Sequence, residues 1–291
     1  MNRRDFLNTA LAAGICTAHA APAPEVALTF DDPKTLQVND GILNALDKHR
    51  LKSILFVCGM RVDSDEGQKL IASWDQAGHL IGNHSYSHLN FNTTPLDTFA
   101  ADFRKNEPLI SGYRHFTRLF RFPMFKEGDT AEKRDAMRAL LKEHHYRIGR
   151  ATIDASDWAI SQRLERHPDG DSSAYGSFLL QHIWERAQYY QSLTREVLRH
   201  PVRHTVLLHH NLLNARYVGD LLNMFVDKGW RLVDAGYAYE DPVYDRQPKI
   251  APAGESLIWA LAKETGRFNA QLRYPGEDDV YENPKMDALH L

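Results

Sequence analysis

Apolar residues recur along the chain with two alternating periods. Short runs rich in β-branched and aromatic residues occupy 26–30, 53–57, 118–122 and 205–208, with weaker ones at 148–153 and 230–233. Between them the spacing is helical. Ile42, Leu43 and Leu46 share one face of 40–49, and Leu70, Ile71 and Trp74 share one face of 65–76, with Gly78 as a stop. Segments 95–109, 130–144 and 213–228 repeat the pattern. Strand, helix, strand, helix at this spacing predicts an α/β fold with a parallel sheet, open or closed into a barrel, and helices outside. Two stretches break the rhythm. Residues 160–200 hold a polar loop at 167–171 and a long helix over about 175–199. Residues 241–291 are rich in Pro, Tyr and Asp, with one helix expected at 255–264.

Polar clusters follow the strands, where α/β folds gather their chemistry. Asp31 and Asp32 close the first run, and Pro33 stops it. Asp-Asp-Pro is common in turns, yet two adjacent carboxylates can divide labour, one ligating a metal and the other acting as a base. His84 and His88 lie four apart, close enough on one helical turn to share a metal that a carboxylate would complete. No glutamate follows His84, which excludes the zinc-protease H-E-x-x-H pattern. Arg121 opens Arg-Phe-Pro-Met at the next strand end, where a guanidinium can hold a carboxylate ionised. Asp154 and Asp157 precede Trp158, and an apolar strand delivers His209 and His210.

Composition narrows the class. The 291 residues are 43% hydrophobic and 25% charged, which excludes a disordered or fibrous chain. A net charge of −3 argues against nucleic acid or an anionic membrane as the main partner. Fifteen histidines are a surplus, so a pair at metal spacing also arises by chance. Arg3 and Arg4, a short apolar run at 9–18 and Ala18-His19-Ala20 read as an export signal over 1–20, possibly of the twin-arginine kind. The run is too short to span a bilayer. Cleavage after Ala20 would leave Cys58 as the one cysteine, without an intramolecular disulfide, and place the protein in the periplasm or outside the cell. The expected organisation is a catalytic domain over 21–240 with a helical insertion at about 160–200, followed by an extension over 241–291.

Taken in order, TFDD at 29–32, HSYSH at 84–88, RFP at 121–123, DASDW at 154–158 and LLH at 207–209 resemble the polysaccharide deacetylases of carbohydrate esterase family four, the NodB-type domain. The resemblance covers about 25–235. It implies a distorted (β/α) barrel with fewer than eight regular strands, a divalent metal, most often Zn2+, and an acetylated polysaccharide or oligosaccharide as substrate. By position it implies Asp32, His84 and His88 as metal ligands and Asp31 as general base, oriented and ionised by Arg121. His209 would be the general acid, its imidazolium held by Asp157. Trp158 and Leu207 would wall the acetyl pocket, and the Met124 backbone N–H would receive the oxyanion. Asp154 matches the motif without a clear role. Two positions depart from the pattern: Met124 replaces a usual aromatic, and His210 a common acidic residue, both expected at the rim. Tyr189 and Tyr190 on the long helix could stack on sugars, although packing is the commoner role. Two other readings stay open: hydrolysis of another amide, and carbohydrate binding on a decayed scaffold. The second requires the loss of a base, ligand or acid, and all three are present here.

Overall fold

The computed structural model describes residues 22–167, 171–273 and 279–291. The export signal expected at 1–20 and part of the 167–171 loop lie outside the described residues. The strands are β1 Glu25–Asp31, β2 Ile54–Val57, β3 Leu80–Asn83, β4 Phe116–Phe120, β5 Lys126–Gly128, β6 Arg147–Ile148, β7 Arg203–His209, β8 Arg231–Leu232 and β9 Ala253–Gly254. The helices are α1 Leu36–Lys48, α2 Asp65–Gln76, α3 Leu96–Ile110, α4 Ala131–Glu143, α5 Asp157–Arg166, α6 Ser172–Leu198, α7 Leu212–Asp227, α8 Ala235–Ala238, α9 Leu257–Thr265 and α10 Glu282–Ala288.

One seven-stranded parallel sheet runs β6-β4-β3-β2-β1-β7, with β8 beside the start of β1. Its central strands are buried on both faces, as a sheet covered by crossover helices requires. The curl follows from connectivity. Ile148 ends β6 at one edge, and Ile153 already bridges Val206 of β7 at the other. Five residues reach roughly 18 Å at most, so the two edges must face each other across that span. The result is a distorted half-barrel with helices outside, as the sequence implied. The same constraint explains why 148–153 is no continuous strand: the chain has to cross from one edge to the other there.

Phe30, Ile54, Phe56, Ile81 and Leu208 fill the core, joined by Trp74, whose indole N–H donates to Asn39 Oδ1 at 2.6 Å. Leu257, Ile258 and Met286 from beyond residue 241 enter the same core. A second cluster stacks Phe99 on Phe122 beside β4. Several elements differ from the periodicity reading, which does not predict β3, β5, β9, α8 or α10. β4 lies two residues earlier than 118–122, which leaves Arg121 just past the strand end. α5 was not expected; it buries Ile160 and Leu164 and precedes α6. Among the described residues, no helix is long and apolar enough to cross a membrane.

The short antiparallel pair β5-β9 supports the loop after Arg121. It is tied down by Glu127, 3% exposed, which accepts from Arg150 at 2.6 and 2.7 Å and from Arg138 at 2.9 Å. Burial alone would raise the Glu127 pKa, but the two guanidiniums outweigh it and hold it below the usual range. With the folded pKa below the unfolded one, its stabilisation is complete above the unfolded value, ~4.3, and fades as pH falls through the folded value. Glu127→Gln leaves two guanidiniums without their counter-charge and should cost about 3–5 kcal/mol near neutral pH. Urea unfolding of both proteins at several pH values should find that gap narrowing only in acid.

Candidate active site

Each cluster singled out by the sequence sits at the carboxyl end of a strand or in the loop beyond it, and five of the loops meet. β1 delivers Asp31 and Asp32. Consecutive strand residues point to opposite faces, but Asp32 adopts a left-handed backbone, φ 57°, which turns the chain so that both carboxylates face the barrel mouth. Asp31 Oδ2 lies 3.7 Å from His84 Nε2, and Asp32 Oδ2 lies 3.4 Å from His88 Nε2. Ser85 and His88 in the β3 loop and Met124 and Phe125 after β4 are left-handed as well. Five of the eleven such non-glycine residues among the described ones therefore lie in the loops that form this mouth. Such conformations cost about 1–3 kcal/mol each and cluster where a site over-determines them.

One ligand atom each from Asp32, His84 and His88 falls within 4.8 Å of the others. His84 Nδ1 lies 2.8 Å from the Arg121 carbonyl oxygen; with the proton on Nδ1 to donate there, the Nε2 lone pair faces inward. Burial pushes both imidazoles down to about 4, the neutral form a metal needs. Burial would raise Asp32, yet His88, His84 and Arg61 outweigh it and keep it low. Its buried Oδ1 makes no hydrogen bond, with Arg61 Nε standing 3.3 Å away. An anionic oxygen lacking a hydrogen bond, beside two neutral imidazoles, fits a divalent cation.

Asp31 is held differently. Arg121, 1% exposed, donates from Nη1 to Asp31 Oδ1 at 2.7 Å, from Nε to the Gly149 carbonyl at 2.8 Å, and from Nη2 to the Tyr239 hydroxyl at 2.9 Å. Burial pushes Asp31 up to about 6 against the pull of Arg121. Arg121 thus lowers Asp31 without cancelling burial, and a cation at Asp32 would pull in the same direction. His209 is the register partner of Asp31 on β7. Its Nδ1 meets Asp157 Oδ1 at 2.9 Å, so the pair is made through Nδ1. Asp157 Oδ2 accepts from the His209 backbone N–H and from the side chains of Asn211 and Asn214 at 2.6–2.9 Å.

A cavity of about 310 Å³ opens here, lined by Asp32, Lys34, Arg61, His88, Met124, Trp158, Ser161, Gln162, His209 and Asn211. Trp158 is on its wall with its buried Nε1 unpartnered, and Met124, 37% exposed, is at its rim. Leu207 packs in a buried cluster with Phe125 and Ala151. One expectation needs correction. His210 is not at the rim: strand alternation turns it inward, fully buried, where its Nδ1 accepts the Lys34 N–H and its ring meets Trp74. Tyr190 is buried, and the Tyr189 hydroxyl is engaged by the backbone at Gln271 and Arg273, so both pack rather than stack on sugar.

Sequence reasoning missed Tyr239, Gly149, Asn211 and Asn214, which position Arg121 and Asp157. Asn211 carried a signal, an N-cap type residue ahead of a helical run. Tyr239 carried none.

Fold and site together define a curled parallel half-barrel with an Asp-His-His cradle at the strand ends, flanked by an Arg–Asp pair and a His–Asp pair. Residues 18–149 match the family described as Polysaccharide deacetylase. A peptidoglycan-N-acetylglucosamine deacetylase of Bacillus cereus is 29% identical over 162 residues, 54% of this chain and 55% of that one, so the chain spans about half the length of this relative. A polysaccharide deacetylase structure from Bacillus cereus matches with a TM-score of 0.57 at 20% identity, over 72% of this chain and 91% of that one. A CE4 family pseudoenzyme from Bacillus anthracis matches at 0.55 and 19%, over 75% and 66%. These two likenesses bear on fold alone. The chain is thus similar to the polysaccharide deacetylase family over the residues that carry the Asp-His-His cradle and Arg121.

The Arg121 arrangement depends on close packing below it. Its guanidinium lies 4.1 Å from the Phe56 ring centre, and a Cβ added at Gly149 would fall 2.4 Å from that ring. Gly149→Ala must therefore displace Phe56. The expected cost is about 1–3 kcal/mol, read as a drop of several degrees in thermal unfolding, with a loss of activity larger than that of other variants of equal stability.

Proposed function

We propose that the protein is a metal-dependent hydrolase that removes acetyl groups from an N-acetylated carbohydrate, an N-acetylglucosamine polymer being the first candidate. The single observation that carries this reading is the co-location of the Asp32-His84-His88 cradle with Asp31 and His209, beside a cavity that Asp32, His88 and His209 line. The peptidoglycan deacetylase relative supports the substrate class. The export signal read at 1–20 fits a substrate outside the cytoplasm.

Asp32, His84 and His88 hold the cation, for which Zn2+ suits the donor set. When bound, it supplies polarisation of the carbonyl and a lowered pKa for water. Asp31 takes the proton of the attacking water, and Arg121 keeps the carboxylate aimed while that proton moves. The Met124 backbone N–H receives the developing oxyanion. His209 gives its Nε2 proton to the departing amine, and Asp157 steadies the imidazolium. Trp158 confines the acetyl methyl group.

Acetate release from chitooligosaccharides, peptidoglycan and acetylated xylan, with and without a chelator, tests the reading. We expect release from at least one N-acetylated polymer, its loss on complete metal removal, and recovery on adding Zn2+. Release unaffected by metal removal contradicts the mechanism, and no release from any polymer favours a binding-only protein. In the same assay His209→Asn should lower amide turnover by ~10²–10⁴-fold; unchanged turnover removes His209 from the acid role.

A further inference from the structure

Asp157 and Trp158 are the first two residues of α5, and Ser161 and Gln162 one turn later line the cavity. The position of this ten-residue helix therefore fixes how the acid side of the site faces the substrate. Hydrogen bonds from Asn211, Asn214 and the His209 backbone hold its first residue. Its far end is held from a distant part of the sequence. Arg163 donates from Nε to the Leu291 carbonyl at 2.6 Å and pairs through Nη2 with Asp287 Oδ1 at 2.6 Å. On α10, Met286 is buried in the main core, and Lys285 pairs with Glu185 of α6 at 2.7 Å.

A second observation points the same way. Glu282, the first residue of α10, is fully buried and faces His182 Nε2 of α6 at 3.1 Å. One helical turn on, Arg186 is also fully buried; it donates from Nε to the Asp154 carbonyl at 2.9 Å, with Nη2 3.9 Å from the Asp154 carboxylate. Arg186 and Ser156 both act on Glu282. Burial raises the Glu282 carboxyl and pushes His182 down to about 3, so burial works against charge on both. A buried polar cluster thus runs from α10 through α6 to the loop 154–156, immediately before Asp157. No step of the proposed reaction uses it.

We propose that residues 282–291 form a brace that sets α5, with Arg163 and Glu282 as positioning residues that act through Asp157 on the acid step. This rests on the reading of His209 as general acid. The brace touches neither the cation cradle nor Asp31, so its effect falls on departure of the amine rather than on attack by water.

That distinction is measurable. An acetamido sugar needs its leaving nitrogen protonated, whereas an activated aryl acetate expels a phenolate that needs no acid. Arg163→Met in the full-length metal-loaded protein should lower kcat for a chitooligosaccharide by about 10-fold or more, within the range acid catalysis supplies, with kcat for 4-nitrophenyl acetate and KM little changed. Glu282→Ala should do likewise, and Glu282→Gln, a neutral isostere, should restore amide turnover. His209→Asn serves as reference and should give the same split more strongly. Equal losses on both substrates in Arg163→Met, or no loss on either, while His209→Asn gives the split, overturn the brace alone. A His209→Asn without the split overturns the acid reading and the brace with it. If Arg163→Met does not fold, Asp287→Asn at the exposed end of the clamp replaces it; a smaller split of the same sign supports the proposal, and an unchanged ratio overturns it.

Discussion

Two carboxylates one residue apart at the exit of a buried strand repel each other, and the site is organised around keeping them apart in chemistry while together in space. The left-handed backbone at Asp32 brings both to the barrel mouth. Asp31 then faces a buried guanidinium, and Asp32 faces two imidazoles and Arg61. Burial alone would raise both pKa values. The different surroundings split them, leaving Asp31 at about 6 and Asp32 low. A raised carboxylate suits a base working near neutrality, and a depressed one suits a ligand that must stay anionic.

The barrel makes this division possible. Arg121 reaches Asp31 only because β4 ends one residue before it, and because Phe56 packs tightly enough against Gly149 to leave the guanidinium in place. Tyr239, 118 positions further along the chain, takes an Nη2 N–H of that guanidinium. On the other side, β7 brings His209 into register with Asp31, and α5 and α7 supply its carboxylate partner and that partner's donors. Two ion or hydrogen-bonded pairs on adjacent strands thus flank one cavity, and each is oriented by donors or acceptors outside the pair.

Much of this was legible in the sequence, for identifiable reasons. Strand runs with polar exits located Asp31, Asp32, Arg121 and His209, because in a parallel sheet covered by helices polarity gathers at the exit, while the spacing of His84 and His88 singled out that pair. The five-cluster order carries the resemblance to the polysaccharide deacetylases. What stayed hidden depends on tertiary placement. Leu207 and His210 flank or neighbour motif residues, but only strand alternation and the packing of Ala151 and Trp74 decide which way they turn. Residues 148–153 read as a strand because they are apolar, and only the closure of the curled sheet makes them a crossing. Tyr239 and Glu282 leave no local pattern, since each acts on a residue about a hundred positions away.

The central claim is that neighbouring aspartates are split into a ligand and a free base, and cation titration of two variants by calorimetry tests it most directly. Asp31→Asn should still bind one equivalent of Zn2+ with affinity within about tenfold of the parent, while Asp32→Asn should lose about 100-fold or more. Loss of the cation in Asp31→Asn together with retention in Asp32→Asn would contradict the account.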